Sequence, residues 1–123
     1  YNTAVGRDSL WANSTGTRNT AVGANSLDAN TTANDNVAVG WGTLTVNTTG
    51  ANNVAVGTTA LEANTTANNN IAVGYNALSL NTTGTQNIAI GTYSLDANTT
   101  SHNITLIKKH WRSCNITQDG TQN

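Results

Sequence analysis

Apolar and polar residues recur along this chain with a period of 17 residues. The pentad Asn-x-Ala-[Val/Ile]-Gly starts at Asn2, Asn19, Asn36, Asn53, Asn70 and Asn87, and every step is 17 residues. Numbered from that Asn, position 1 is Asn, 3 is Ala, 5 is Gly, 9 is Leu, 12 is Asn and 14 is Thr in all six units, and position 4 is Val or Ile. A fixed period of this size marks a stacked repeat architecture. Within the unit, β-branched residues at positions 2 and 4 flank Ala, and apolar residues occupy positions 9 and 11. That alternation predicts two short strands, at positions 2–4 and 8–11. Gly at position 5 opens one turn, because it takes positive φ without steric cost. The Asn-Thr-Thr-Gly/Ala stretch makes the other, through Asn side chains that bond their own backbone. Asn, Gly and Thr are all poor helix formers, which excludes a helical repeat.

A unit this short cannot bury its own apolar face, so the units must stack. The prediction is an all-β fold, a β-solenoid (parallel β-roll or β-helix) of 17-residue coils with two short strands per coil, spanning residues 2–102. At a strand spacing of roughly 4.8 Å, six coils make a rod about 30 Å long. Two inward apolar ladders are expected. One is Leu10, Leu27, Leu44, Leu61, Leu78 and Leu95; the other is Val5, Val22, Val39, Val56, Val73 and Ile90. The small residues Ala4, Ala21, Ala38, Ala55, Ala72 and Ala89 should then point outward, where their invariance suggests close approach by a second copy of the chain. Asn13, Asn30, Asn47, Asn64, Asn81 and Asn98 are expected to stack as a hydrogen-bonded ladder in the turn.

A second period of two units overlies the first. Alternate units carry an acid at position 10 (Asp28, Glu62, Asp96) and Ala33, Ala67 or Ser101 at position 15. The others have Gly16, Gly50 and Gly84 at position 15. Inheritance from a duplicated block explains this, and so would different neighbours for alternate coils. Residues 103–123 break the pattern. With Asn103 as position 1, Ile107 falls where Gly is expected and Trp111 where Leu is expected, and Lys108, Lys109 and Arg112 bring local positive charge. This reads as a diverged seventh coil or a cap. The closing Gly-Thr-Gln-Asn repeats the junction at Gly84–Asn87, so the parent array is expected to continue, and a start at Tyr1 suggests a fragment or a processed chain.

Composition sharpens this picture. Of 123 residues, 21 are Asn and 23 are Thr, with 11 Gly, no Pro, no Phe and no Met. Large apolar side chains are too few for the deep core of a compact enzyme. The net charge of −1 removes the electrostatic case for nucleic acid. No apolar run approaches the roughly 20 residues of a membrane span, so no membrane insertion is expected. One Cys excludes a disulfide framework.

No catalytic residue, cofactor site or metal site is expected. Cys114 and His110 are four residues apart, and two ligands do not make a zinc site. Serines lack a His/Asp partner motif, and the glycines recur at solenoid spacing rather than in a phosphate loop. Asp28, Glu62 and Asp96 would sit about 10 Å apart, too far to share a calcium ion; they read as solvated charges that keep rods apart. Asn13, Asn30, Asn47, Asn64, Asn81, Asn98, Asn103 and Asn115 each fit the Asn-x-Thr/Ser glycan acceptor pattern. A laddered Asn could not also carry a sugar. Trp11, Trp41, Tyr75 and Tyr93 are candidate surface contacts for a glycan, and regular Thr rows raise ice binding as an alternative.

The units Asn-[Thr/Val/Ile]-Ala-[Val/Ile]-Gly resemble the head repeats of trimeric autotransporter adhesins. The longer NTAVG…L..NTTG form is similar to repeat arrays in bacteriophage tail fibres and bacterial surface proteins, which often precede a self-cleaving chaperone domain. The adhesin repeats are shorter than 17 residues, and no chaperone domain lies in this sequence. The resemblance covers residues 2–102. It implies a β-roll and a homotrimer or filament of this chain, located outside the cell, on its surface or on a virion. The expected function is a non-enzymatic structural rod of an attachment fibre, with a host-surface polysaccharide as candidate partner. The alternative is a glycan- or ice-binding solenoid module.

Overall fold

The computed structural model describes residues 1–107; His110, Trp111, Cys114 and Asn115 lie outside them. The chain is a β-solenoid. Seven strands form one sheet: β1 (Thr3–Val5), β2 (Thr20–Val22), β3 (Val37–Val39), β4 (Val54–Val56), β5 (Ile71–Val73), β6 (Ile88–Ile90) and β7 (Thr105–Ile107). Each pairs in parallel with the next in chain order. Equivalent positions face each other throughout, as in Ala38↔Ala55 and Val39↔Val56.

The pattern of positions 8–11 gives no second strand. That stretch is a turn, and its direction changes come from positive φ at positions 7 and 9. Asn25, Thr59 and Asn76 take φ of 57°, 56° and 54°, and the following leucines, Leu27, Leu61 and Leu78, take 52°, 52° and 51°. A left-handed Leu costs roughly 1–2 kcal/mol. Burial opposes that cost, because Leu27, Leu44, Leu61 and Leu78 are fully enclosed, and enclosing a Leu side chain is worth about 1.5–3 kcal/mol. The alternation of side chains therefore has a local cause other than an extended backbone. Backbone bonds still tie this region to the next coil, as from Leu44 N–H to the Ala60 carbonyl at 3.2 Å.

The two faces of the sheet are the reverse of the expectation. Ala21, Ala38, Ala55, Ala72 and Ala89 point inward and are fully buried. Val22, Val39, Val56 and Val73 are half-buried on the outer face, while Val5 and Ile90 are exposed. The reason is the packing against Leu. In coils two to five a fully buried Leu from the turn side packs in one cluster with the fully buried Ala of the strand. The interior is thus a single file of Leu against Ala, joined at position 8 by Ala60 and Ala77. Ser26 and Ser94 at the same position donate to the carbonyls of Ala38 and Leu106, each at 3.0 Å.

The two-unit period has a structural cause in the turn at positions 15 and 16. In odd coils the position-16 N–H donates to a side chain of the next, even coil: Thr17 to Asn34 Oδ1, Ala51 to Asn68 Oδ1 (2.7 Å each) and Thr85 to His102 Nδ1 (2.9 Å). This bond pinches odd and even coils together at that corner. A Cβ on Gly16 would lie 2.4 Å from the Ala33 carbonyl oxygen, and one on Gly50 2.4 Å from that of Ala67. Glycine is required on the odd side of each pinched pair, and the even side accommodates a methyl.

β7 corrects the register assigned to the last segment. Ile107 pairs with Ile90, so Ile104 takes position 1 and Ile107 position 4, not the Gly position. Asn103 belongs to the end of the preceding coil, where its φ of 58° matches Asn69 at 61°. The invariant Asn and Ala of the earlier coils thereby become Ile104 and Leu106, both buried.

Two sets of variants test these assignments by thermal or urea denaturation. Ala55→Val, which overpacks the inner face, should destabilise by about 1–3 kcal/mol, while Val22→Thr, on the outer face beside Thr20 and outside the coils that are apolar at both positions, should stay within about 0.5 kcal/mol. Equal effects would refute the assigned faces. Gly50→Ala should cost about 1–3 kcal/mol, and the reciprocal Ala67→Gly no more than about 1 kcal/mol.

Candidate functional surface

Two columns of asparagine run along the stack. At position 1, each side chain accepts from the backbone N–H of the next coil's Asn: Asn36 Oδ1 from Asn53 at 2.9 Å, and Asn53 Oδ1 from Asn70 at 3.0 Å. The column ends when Asn87 Oδ1 accepts from the N–H of Ile104 at 2.9 Å. At position 12 the amides bond one another directly, as Asn64 Nδ2 does to Asn47 Oδ1 at 2.9 Å. Both columns converge in each coil on the carbonyl of position 15. The Ala67 oxygen accepts from Asn53 Nδ2 at 2.9 Å and from Asn64 Nδ2 at 3.1 Å, and the Gly50 oxygen accepts from Asn36 and Asn47 at 2.9 Å each. The position-1 column escaped the sequence reading, although its invariance was visible there.

This geometry decides most of the candidate glycan acceptors. Asn30, Asn47, Asn64 and Asn81 are fully buried, and Nδ2 of each donates both to an Asn in the preceding coil and to the position-15 carbonyl. None has a free amide proton or an open approach for a sugar. Asn98 makes the same pair of bonds, while Asn13 Nδ2 bonds the Gly16 carbonyl and Asn13 Oδ1 accepts from Asn30. Both of these are half-buried. Asn103 is the one exposed acceptor among the described residues.

Among the described residues, three outward features run along the stack. The first is the outer sheet face, with β-branched columns at positions 2 and 4 that include Val37, Val54, Ile71 and Ile88. The second is the position-14 column of Thr15, Thr32, Thr49, Thr66, Thr83 and Thr100, all exposed. The neighbouring threonines at position 13 are held by the stack instead, as Thr48 Oγ1 is by the Thr65 carbonyl at 3.2 Å. The third is an edge bearing aromatic rings. Trp41 and Tyr75 share position 6, and Tyr93 meets Tyr75 edge-on with ring centroids 5.2 Å apart. Trp11 stands alone at position 10 and is 79% exposed.

Charges are few and peripheral. Arg18 and Asp35 form a two-pronged pair across coils, at 2.6 and 2.9 Å. The guanidinium bond holds the Asp35 carboxyl below its ordinary range. Partial burial, with Asp8 nearby, pushes Asp28 up. No group of three or more His, Cys, Asp or Glu among the described residues could hold a metal. No protein-family model, curated protein or solved structure matches the chain.

The asparagine columns give two expected outcomes. Asn53→Ala strands the buried N–H of Asn70, so the urea midpoint should fall by the equivalent of about 1–3 kcal/mol. Asn53→Asp places a buried carboxylate against the Ala67 carbonyl. Burial raises its folded pKa above the unfolded value, so the variant should be more stable at acid pH and lose stability as pH rises through the carboxyl range. A pH-independent Asn53→Asp stability would contradict the buried position.

Proposed function

We propose that the chain is a non-enzymatic structural rod within an extracellular fibre, assembled with copies of itself, most simply as a homotrimer. One observation carries this reading: the outer sheet face bears β-branched columns where a free-standing rod would carry polar side chains. In the central and later coils those columns are apolar at both positions, Val37/Val39, Val54/Val56, Ile71/Val73 and Ile88/Ile90. A contiguous apolar strip on a protein surface marks an interaction site, and copies of this sheet face would meet through matching strips. The inward Ala column no longer supports self-association, and the Val/Ile columns take its place. Stiffness would come from the axial asparagine columns, which tie each coil to the next. On this reading the rod positions an attachment surface, on a virion or a cell, and performs no chemistry.

The exposed Thr column favours a second reading, an ice-binding surface, because it repeats in register once per coil. Thermal hysteresis measured on the purified chain tests that reading, and a null result disposes of it. For the rod, sedimentation equilibrium should return a mass near three times 12.7 kDa. Val56→Lys should shift the population to folded monomers. A wild-type chain that sediments as a folded monomer at micromolar concentration would overturn the self-assembly.

A further inference from the structure

Position 6 varies from coil to coil: Arg7, Ala24, Trp41, Thr58, Tyr75 and Thr92. It lies directly after the Gly at position 5, and the stack keeps register there, since each position-6 carbonyl accepts from the position-7 N–H of the next coil, as Trp41 does from Thr59 at 2.9 Å and Thr58 from Asn76 at 3.1 Å. Trp41 is 55% exposed and Tyr75 46% exposed. Exactly one coil separates them, and it presents an exposed Thr58. Tyr93 packs perpendicular to Tyr75, with the ring planes at 89°.

We propose that Trp41 and Tyr75 form two platforms for an extended β-1,4-linked glycan lying along the rod axis. Two coils separate the rings by about 10 Å. That is the length of one disaccharide in a two-fold β-1,4 chain, in which every second sugar presents the same face. The match uses two coils, because one coil leads to the next sugar, which is rotated by half a turn and presents its opposite face, whereas two coils lead to an equivalent face. Pyranose faces carry axial C–H groups that are apolar and slightly positive, and they stack on the electron-rich face of an aromatic ring. Thr58, set between the platforms, offers a hydroxyl to the intervening sugar. Trp11, alone at position 10, is no part of this track. The site goes beyond the rod reading, because a rod needs no aromatic edge.

Calorimetric titration of the full chain with cellohexaose, chitohexaose and maltohexaose tests the proposal. The first two carry the extended β-1,4 geometry and distinguish a glucan from an N-acetylglucosamine polymer; the third is the α-linked control. Binding to either β-1,4 hexaose and none to maltohexaose is expected. Trp41→Ala and Tyr75→Ala should each weaken binding about ten-fold or more, Trp41→Tyr should retain it, and Trp11→Ala should leave it unchanged. The decisive variant is Thr58→Tyr/Tyr75→Thr, which keeps two rings but sets them one coil apart. It should bind as poorly as Tyr75→Ala while its far-UV circular dichroism and sedimentation match the parent. No binding to either β-1,4 hexaose, or full binding by the register-shifted variant, would overturn the site. Sedimentation of the same samples reports separately on self-assembly.

Discussion

Each coil depends on one carbonyl oxygen, that of position 15, which accepts from two buried asparagines at once. Through it, the columns at positions 1 and 12 are fastened to each other inside every coil, while each column runs on to the next coil by its own bonds. In both columns each Oδ1 accepts from the following coil and so points toward the same end of the stack, and the amide-to-amide bonds at position 12 polarise one another in series. A chain with so thin an apolar core needs this. Leu against Ala encloses little area per residue, and the polar columns both satisfy buried groups and fix the register that the core alone would leave loose. An unpaired amide in this setting would be costly, so the columns are effectively all-or-none.

The same carbonyl explains why position 15 is always small. It must approach the asparagines closely, and on the pinched side of each coil pair only glycine fits, as the 2.4 Å clearance at Gly16, Gly50 and Gly84 shows. The 34-residue period is therefore not a trace of duplication alone. Asn34, Asn68 and His102 each supply an acceptor to the coil before them, and the corner closes in pairs.

The period, the parallel stacking and the Leu column were legible in the sequence, because they follow from repetition and from the need to bury Leu. Which face of the sheet is inner was not. Alternation at Val-x-Val says only that Ala and Val point opposite ways; packing against Leu decides which is inside, and in coils two to five the Ala is enclosed with it. The second strand was misread for a related reason. Positive φ at positions such as Thr59 and Leu61 yields the same inside–outside alternation as a strand, and Leu is not a residue that announces a left-handed conformation. The asparagine turn was recognisable from Asn-Thr-Thr, but the column at position 1 was hidden because it flanks a strand, where Asn reads as a mere boundary.

The proposed roles rest on what the stacked coils leave outside: a β-branched sheet face, a threonine column and an aromatic edge. Each is a longitudinal feature, because every side chain inherits the period of the backbone. All of them presuppose a stack locked by its buried amides. Amide hydrogen exchange followed by NMR tests that most directly. The backbone N–H groups of Asn36, Asn53, Asn70 and Asn87 and the side-chain amides of Asn47 and Asn64 should be among the slowest-exchanging protons in the chain, and should be lost together on global unfolding. Exchange at these sites as fast as at the exposed turn residues would contradict the account.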